Sequence, residues 1–330
     1  MPDTEKTIIP VPDLSRIDAG PFPPMVVVEI TNVCNLQCIH CPFCYISKEP
    51  GYQPRHMAWP LYTKIVDEVA GHPGTIFRLL CDGEPLCHPR FIDMIRYAKT
   101  QGLSPVNFIT NGLLMDGDRA AAVLEARVEA VEFSLDALNK NTYERIRKGS
   151  DYETVMHHVN GFIRLRDTLK APTKIFVSII DQPEAEAELD AFVAYWTPRV
   201  DRVITRAYTS IQGLVDPAKI KTDPQIKRWP CPDLWRRSFI NVDGFAEFCV
   251  EDWHDQSVVG DINKTTLQAV WQGPDYERLR TLHRQRRFQD VSYCAGCLDW
   301  QARDWHYDYF VALRDTLGST AAPERREGRP

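Results

Sequence analysis

The chain has 330 residues, a mass of 37.9 kDa and a formal net charge of −6, from 39 Lys and Arg against 45 Asp and Glu. This mildly acidic balance argues against a nucleic-acid partner, because phosphate neutralisation needs an excess of basic residues. The hydrophobic fraction of 44% and the charged fraction of 25% exclude a wholly disordered chain. No run approaches the roughly 20 apolar residues of a membrane span, and the N-terminus lacks the pattern of a secretion signal. We therefore expect a cytoplasmic protein without a membrane partner.

Apolar, β-branched runs alternate with helical patterns over residues 25–210. The predicted strands cover residues 25–30, 75–80, 105–109, 130–135, 173–180 and 202–208. The predicted helices cover residues 59–70, 91–100, 119–126 and 184–196, with a further helix beginning at residue 141. Repeated strand–helix units predict a parallel sheet covered by helices. Because six units are too few for a closed eight-unit barrel, the expected fold is α/β, a partial (β/α)6 barrel.

A polar cluster follows each of the first four predicted strands. Chemistry in parallel α/β barrels takes place at the carboxyl ends of the strands, so these clusters are expected to meet at one rim. Loops that are merely polar would explain any one cluster, but they explain all four less well. The clusters cover residues 34–41, 82–85, 110–112 and 134–136.

Ten cysteines in a cytosolic chain indicate ligands or catalysts rather than disulfides. Cys34, Cys38 and Cys41 form a first group directly after the first strand. Zinc sites usually have four protein ligands, whereas three thiolates leave one iron of a cubane cluster open to an outside ligand. An iron–sulfur cluster is therefore predicted, with zinc and structural cysteines as alternatives. Cys44 is interpreted as a bystander, because a fourth ligand would close the open iron.

A second group of four cysteines lies in the C-terminal third of the chain. A hairpin signal around Gly244 would bring the first two of them together, and helical segments at 265–271 and 276–284 lead back to the last two. From spacing alone, four thiolates with one Cys-x-x-Cys pair fit either zinc or an iron–sulfur cluster. The four are Cys231, Cys249, Cys294 and Cys297.

The order of these motifs resembles the radical S-adenosylmethionine (radical SAM) superfamily. Cys34-x3-Cys38-x2-Cys41 is similar to its cluster signature, and residues 82–85 are similar to its Gly-Gly-Glu-Pro motif, which holds the methionine amino group. The later strand ends resemble those that hold the ribose and the methionine carboxylate. Two positions depart from the family: Asp82 replaces a glycine, and His40 stands where members usually carry an aromatic residue beside the adenine. The cofactor-binding residues that the resemblance implies are His40, Asp82, Gly83, Glu84, Pro85, Thr110, Asn111, Ser134 and Asp136.

The resemblance also implies a reaction type. The open iron of a [4Fe–4S] cluster binds S-adenosylmethionine, and one electron cleaves it to methionine and a 5′-deoxyadenosyl radical. That radical abstracts a hydrogen atom from an unactivated C–H bond, so the cofactor performs the difficult chemistry and the protein orients it. A flavodoxin- or ferredoxin-type reductant is the expected partner.

The C-terminal pattern Cys…Gly-x4-Cys…Cys-x-x-Cys resembles the SPASM/twitch modules that hold auxiliary [4Fe–4S] clusters. No cysteine follows Cys297, so the pattern is similar to the shorter twitch form with one auxiliary cluster, as in aminocyclitol dehydrogenases of aminoglycoside biosynthesis. Four thiolate ligands would seal this cluster, which would pass electrons rather than bind substrate. The resemblance implies an N-terminal extension over 1–24, a radical SAM partial barrel over 25–215, a twitch domain with hairpin and helix over 216–317, and a disordered tail over 318–330.

A sealed auxiliary cluster suits oxidation of a carbinol carbon to a ketone, because the substrate radical must lose an electron. The chain has no Gly-x-Gly-x-x-Gly fingerprint of a nicotinamide dehydrogenase. The leading substrate class, a sugar or aminocyclitol, comes from the resemblance. An epimerase is the main alternative, with a hydrogen-atom donor among Cys44, Cys81 and Cys87. A peptide-modifying enzyme and a non-enzymatic electron carrier are the others.

Candidate residues for substrate chemistry lie near the end of the last strand and beside the second cysteine group. Arg206 could stabilise an alkoxide, Tyr208 ends the same strand, and Glu251 could accept a proton or bind an amine. Exposed charge or a structural ion pair is the alternative interpretation of each charged residue. Asp252 and Gln212 are weaker candidates of the same kind.

Overall fold

The computed structural model describes residues 17–80, 82–305 and 309–318. Its first six strands are parallel and neighbour one another in chain order. This arrangement confirms the α/β partial barrel expected from the sequence. The strands are β1 Met25–Val28, β2 Ile76–Leu79, β3 Val106–Thr110, β4 Ala130–Ser134, β5 Lys174–Asp181 and β6 Arg202–Ala207.

Helices cover the outer face of the sheet. The predicted helix beginning at residue 141 is two helices, because Asp151 accepts a hydrogen bond from the Thr154 N–H at 2.8 Å and starts a second one. The helices are α1 Phe43–Ile46, α2 Trp59–Ala70, α3 Phe91–Thr100, α4 Gly117–Glu125, α5 Lys140–Ile146, α6 Tyr152–Leu169, α7 Leu189–Trp196, α8 Asp233–Arg236, α9 Leu267–Trp271, α10 Pro274–Arg284, α11 Ser292–Ala295 and α12 Tyr309–Leu317. Within the described ranges, none of them is both long and apolar enough to cross a bilayer.

The strand sequences are apolar without alternation because the sheet is buried on both faces. All four residues of β1 are buried, as are all four of β2. The helices instead bury one stripe: in α3 the buried residues are Phe91, Met94, Ile95 and Ala98, which recur at helical spacing. The resulting core fixes the carboxyl ends of the strands relative to one another.

The C-terminal hairpin continues the barrel sheet. Strand β7 (Arg237–Ile240) pairs in parallel with β1, then β8 (Phe245–Glu247) and β9 (Val258–Asp261) add antiparallel strands, giving one nine-stranded sheet. The hairpin turn needs Gly244, whose φ is +89° and whose missing Cβ would lie 2.9 Å from a Leu61 methyl group. The predicted hairpin is present, and it is hydrogen-bonded to the barrel through the strand that leads into the first cysteine group.

Helix α12 packs against the first residues of several barrel strands. Tyr309, Phe310 and Leu313 form a hydrophobic cluster with residues that include Met25 and Ile76. The domain bounds expected from the sequence place this helix in the C-terminal domain, and its cluster includes Phe239 of that domain as well as the barrel strands. The expectation of a disordered tail over 318–330 falls outside the described residues, except for Gly318.

Candidate active site

A cavity of about 860 Å³ opens at the carboxyl ends of the barrel strands. Residues from all four predicted strand-end clusters line it, as do residues from the segment after β8. The predicted site residues that line it are Cys34, Cys38, His40, Cys41, Asp82, Gly83, Glu84, Pro85, Thr110, Asn111, Ser134, Arg206, Tyr208 and Glu251. Asp136 and the second cysteine group do not line this cavity.

The loop that carries the first cysteine group is fastened to the end of α5. The N–H groups of Gln37 and Ile39 donate to the carbonyls of Lys148 and Ile146 at 2.8 and 2.9 Å. Burial raises the pKa of Cys34 to about 12, so its thiolate form requires a nearby cation. The three thiols all line the cavity, Cys38 buried and the other two partly exposed, and this placement fits a cluster whose remaining iron faces the cavity.

Glu84 joins the loop after β2 to the loop after β3. Its Oε1 accepts hydrogen bonds from the Thr110 hydroxyl at 2.7 Å and from the Leu86 N–H at 3.2 Å, and its Oε2 accepts from the Asn111 N–H at 2.7 Å. The carboxylate is therefore occupied by protein donors and is almost fully buried. Its role in this geometry is to hold the two loops in register at the cavity wall.

Gly83 allows that loop to touch the chain leaving β1. A Cβ at this position would lie 2.2 Å from the Val33 carbonyl oxygen, and the neighbouring Glu84 N–H donates to the same oxygen at 2.8 Å. No side chain fits there without moving backbone. The glycine is thus required by close approach of two backbones.

Asp136 acts on the cavity through a residue that the sequence analysis did not single out. Its carboxylate accepts from Arg147 Nη2 at 2.6 Å and from the Ile180 N–H at 2.9 Å, so it has no free face toward the cavity. Arg147 also donates to the Ser134 hydroxyl at 2.5 Å and lines the cavity. Arg147 lies among other basic residues in the sequence, and no motif distinguishes it.

His40 lies beside this pair, with its Nε2 3.7 Å from Asp136 Oδ2. Burial lowers the pKa of His40 to about 4, so the ring is neutral at physiological pH. A neutral ring on the cavity wall can pack against an apolar or aromatic face, as the family position suggested.

Arg206 is held by a buried carboxylate network that closes the cavity floor. Glu132 Oε1 accepts from Arg206 at 2.6 Å, and Glu132 Oε2 accepts from Arg78 at 2.9 Å. The Tyr309 ring lies 3.4 Å from the Arg78 guanidinium carbon, and the Tyr309 hydroxyl donates to Asn107 at 3.1 Å. Two arginine charges face one carboxylate charge, so this network leaves a net positive charge at the floor of the cavity. Arg206 thus has a structural ion pair and still reaches the cavity.

Five carboxylates form an acidic wall on the opposite side of the cavity. Burial raises the pKa of Glu29 to about 7. Burial together with the charges of neighbouring carboxylates raises the pKa of Glu247 to about 9 and also raises that of Asp82. The residues come from β1, the loop after β2 and the segment around β8, so only the fold brings them together. The wall consists of Glu29, Asp82, Glu247, Asp252 and Asp255.

The second cysteine group lies behind this cavity. The charges of Cys231 and Cys294 interact, as do those of Cys249 and Cys231, and the Cys297 N–H donates to the Cys294 carbonyl at 3.1 Å. In the part of the chain that the structure describes, no three Cys, His, Asp or Glu side chains converge closely enough to enclose one ion. In a cubane each thiolate binds a different iron, so its ligands are spread more widely than around a single ion.

Glu251 and Arg303 link the second cysteine group to the cavity. Both line the cavity, and Arg303 Nη2 donates to Glu251 Oε1. Burial raises the pKa of Glu251 to about 7, while the Arg303 charge acts in the opposite direction. Tyr208 is buried beside the same cavity with its hydroxyl unpartnered.

Two family models match the chain. Residues 28–176 match the radical SAM superfamily, and residues 231–298 match SPASM, an iron–sulfur cluster-binding domain. The chain is a radical SAM protein with a SPASM domain. The cofactors expected from the sequence, S-adenosylmethionine and two [4Fe–4S] clusters, are thereby confirmed. At the second cysteine group the family supports an iron–sulfur cluster rather than zinc.

Curated relatives of this radical SAM protein cover it to different extents. An uncharacterized protein from Treponema pallidum is 25% identical over 79% of this chain and 76% of its own length. A probable GTP 3′,8-cyclase from Methanocaldococcus jannaschii is 29% identical over 45% of this chain, and the chain spans only 47% of that relative. The similarity to the cyclase is thus confined to part of each protein.

Solved structures share the fold. BtrN in complex with AdoMet and 2-DOIA superposes with a TM-score of 0.58 at 15% identity, covering 87% of this chain and 97% of BtrN. SuiB from Streptococcus suis bound to the precursor peptide SuiA superposes with a TM-score of 0.62 at 13% identity, covering 79% of this chain and 67% of SuiB. At these identities the comparison establishes the architecture of this radical SAM protein and not its substrate.

Proposed function

We propose that this enzyme oxidises a carbinol carbon of a small, polar, sugar- or aminocyclitol-type substrate to a ketone, with the substrate electron passing to the auxiliary cluster. The observation that carries the proposal is a cavity whose lining includes the first cysteine group together with Glu251 and Arg303. A substrate in that cavity would lie within reach of both sets of residues.

The cofactors and the chain have separate tasks. When bound, S-adenosylmethionine and the cluster on Cys34, Cys38 and Cys41 supply the radical that takes a hydrogen atom from the substrate carbon. The substrate must then lose one proton and one electron for a ketone to form. Glu251 is the proposed proton acceptor, because burial raises its pKa to about 7, a value suited to a general base near neutral pH.

The walls of the cavity support a small polar substrate. Arg206 at the floor offers donors to hydroxyl oxygens, and Tyr208 offers a buried hydroxyl without a protein partner. The acidic wall favours a substrate that carries a positive charge, such as an amine, because burial and the neighbouring carboxylates raise the pKa of Asp82 and that of Glu247, and a cation would relieve that repulsion.

Epimerisation would require a hydrogen-atom donor at the cavity. Cys44 and Cys87 do not line it, and Cys81 lies outside the described residues. The placement of the two described thiols therefore favours oxidation over epimerisation. A peptide substrate, as in the SuiB–SuiA complex, is the second candidate, since the open cavity mouth leaves room for a chain.

The deciding experiment is anaerobic reconstitution followed by reaction with S-adenosylmethionine and a panel of aminocyclitols and sugars in deuterated water. The proposal expects about eight iron atoms per chain, 5′-deoxyadenosine in equal amount to product, and a ketone two mass units lighter than the substrate. A Cys249→Ala variant should retain 5′-deoxyadenosine formation but lose the ketone. A product one mass unit heavier than the substrate, with one solvent deuterium on carbon, would replace oxidation with epimerisation.

A further inference from the structure

Arg303 is the cavity-lining cation that lies beside the second cysteine group. Its side chain is 22% exposed and its Nη2 contacts Glu251. Its backbone is held on both sides, because its N–H donates to the Trp300 carbonyl at 3.1 Å and its carbonyl accepts from the Trp229 indole at 2.8 Å. Trp229 lies two residues before Cys231 and Glu251 lies two residues after Cys249, so these contacts tie Arg303 to the two segments that carry those cysteines.

The charge of Arg303 acts on two of the four thiols. Burial raises the pKa of both Cys231 and Cys249, and the Arg303 charge opposes that rise at each. Glu251 acts on Cys249 with the opposite sign. A second cation, Arg228, acts on Cys294 and Cys297. Arg228 does not line the cavity, so the two cations act on different pairs of thiols and only Arg303 also faces the substrate space.

We infer that the positive charge of Arg303 raises the reduction potential of the auxiliary cluster. A cluster held by four thiolates becomes more negative when it gains an electron. A positive charge held nearby therefore stabilises the reduced form more than the oxidised form. Removing the Arg303 charge should therefore lower the potential, and removing the Glu251 charge should raise it.

A structural role for Arg303 makes a different prediction. If the Arg303 side chain only supports the fold near Glu251, then both Arg303→Lys and Arg303→Gln would disturb that fold. The reduction potential would then not depend on the charge at position 303. If charge is what matters, Arg303→Lys keeps most of the effect and Arg303→Gln loses it. The opposite sign expected for Glu251→Gln separates the two explanations further, since that variant breaks the same contact as Arg303→Gln.

The test is a redox titration of the full-length, anaerobically reconstituted protein, monitored by electron paramagnetic resonance. The auxiliary cluster is identified as the one whose signal does not change when S-adenosylmethionine is added, and the other cluster serves as an internal reference. For Arg303→Gln we expect the equilibrium constant for one-electron reduction to fall about tenfold, or about 59 mV. Arg303→Lys should stay within about threefold of the wild type, or about 28 mV. Glu251→Gln should shift in the opposite direction. Arg96→Gln is the matched control, because Arg96 contacts Glu125 at 3.5 Å and both side chains are exposed.

The inference is overturned if the auxiliary cluster of Arg303→Gln has the same reduction potential as in the wild type. It is also overturned if the lysine and glutamine variants change that potential equally. If Arg303→Gln fails to assemble the second cluster, iron analysis will show the loss. The Glu251→Gln variant then decides the question. A raised reduction potential of the auxiliary cluster in that variant supports the inference, and an unchanged potential overturns it. The titration uses no substrate. Its failure therefore leaves the proposed oxidation intact, and failure to form a ketone leaves the inference about Arg303 intact.

Discussion

Replacing Glu132 with glutamine should strongly destabilise the barrel, because Glu132 is the one carboxylate between the buried Arg78 and the half-buried Arg206. It is fully buried, and its oxygens accept from Arg206 at 2.6 Å and from Arg78 at 2.9 Å. Glutamine would keep one acceptor but point an NH2 group at the second guanidinium. Breaking a buried ion pair from one side costs about 3–5 kcal/mol, since it leaves a charge without compensation.

Thermal unfolding of the reconstituted protein measures this cost. At about 2 °C per kcal/mol, the Tm of Glu132→Gln should fall by about 6–10 °C at matched iron content. Glu125→Gln is the control, because Glu125 pairs with Arg96 at 3.5 Å on the surface and such pairs contribute about 0–1 kcal/mol. If the two variants melt within about 2 °C of each other, the network does not stabilise the floor and the reasoning fails.

The pH dependence of Glu132 has a definite sign. Burial alone would raise its pKa, but the charges of Arg206 and Arg78 lower it to about 2. A lowered carboxyl pKa contributes stability that is present above the ordinary value and is lost as the pH falls toward the folded value. The Tm difference between wild type and Glu132→Gln should therefore stay constant above about pH 5 and shrink below it.

Three further changes test the cavity wall. Gly83→Ala should abolish S-adenosylmethionine binding, measured by equilibrium dialysis, because its Cβ would lie 2.2 Å from the Val33 carbonyl oxygen. The control is Gly117→Ala, whose Cβ would have no atom within 4 Å and which should bind S-adenosylmethionine normally. Glu84→Gln should weaken the same binding at least about tenfold, because its NH2 would face a backbone donor at a cost of about 1–3 kcal/mol; unchanged affinity would contradict this. Burial raises the pKa of Glu29 to about 7, so wild-type Tm should decline as the pH rises through 7, and Glu29→Gln should flatten that decline.

Much of the barrel could be predicted because its signals are local. The buried run at Met25–Val28 reports a strand covered on both faces, and the spacing of Phe91, Met94, Ile95 and Ala98 reports a helix with one buried stripe. The spacing of Cys34, Cys38 and Cys41 is also local, so the first cluster could be expected without three-dimensional information. Each of these features is complete within a dozen residues.

Features that depend on distant segments could not be predicted. The pairing of β7 with β1 joins residues more than 200 positions apart, and neither strand carries a mark of its partner. The acidic wall likewise draws Glu29, Asp82 and Glu247 from separate elements. Arg147 and Arg303 acquire their importance from what lies opposite them in space, and in the sequence they are ordinary basic residues.

The β1–β7 ladder also bears on how the two iron–sulfur centres communicate. Backbone hydrogen bonds join the strand before the first cysteine loop to the strand that leads into the C-terminal hairpin. The sheet therefore holds the start of the first cysteine loop against the hairpin that leads to Cys249, and we expect the path for electrons between the two cysteine groups to depend on this shared scaffold.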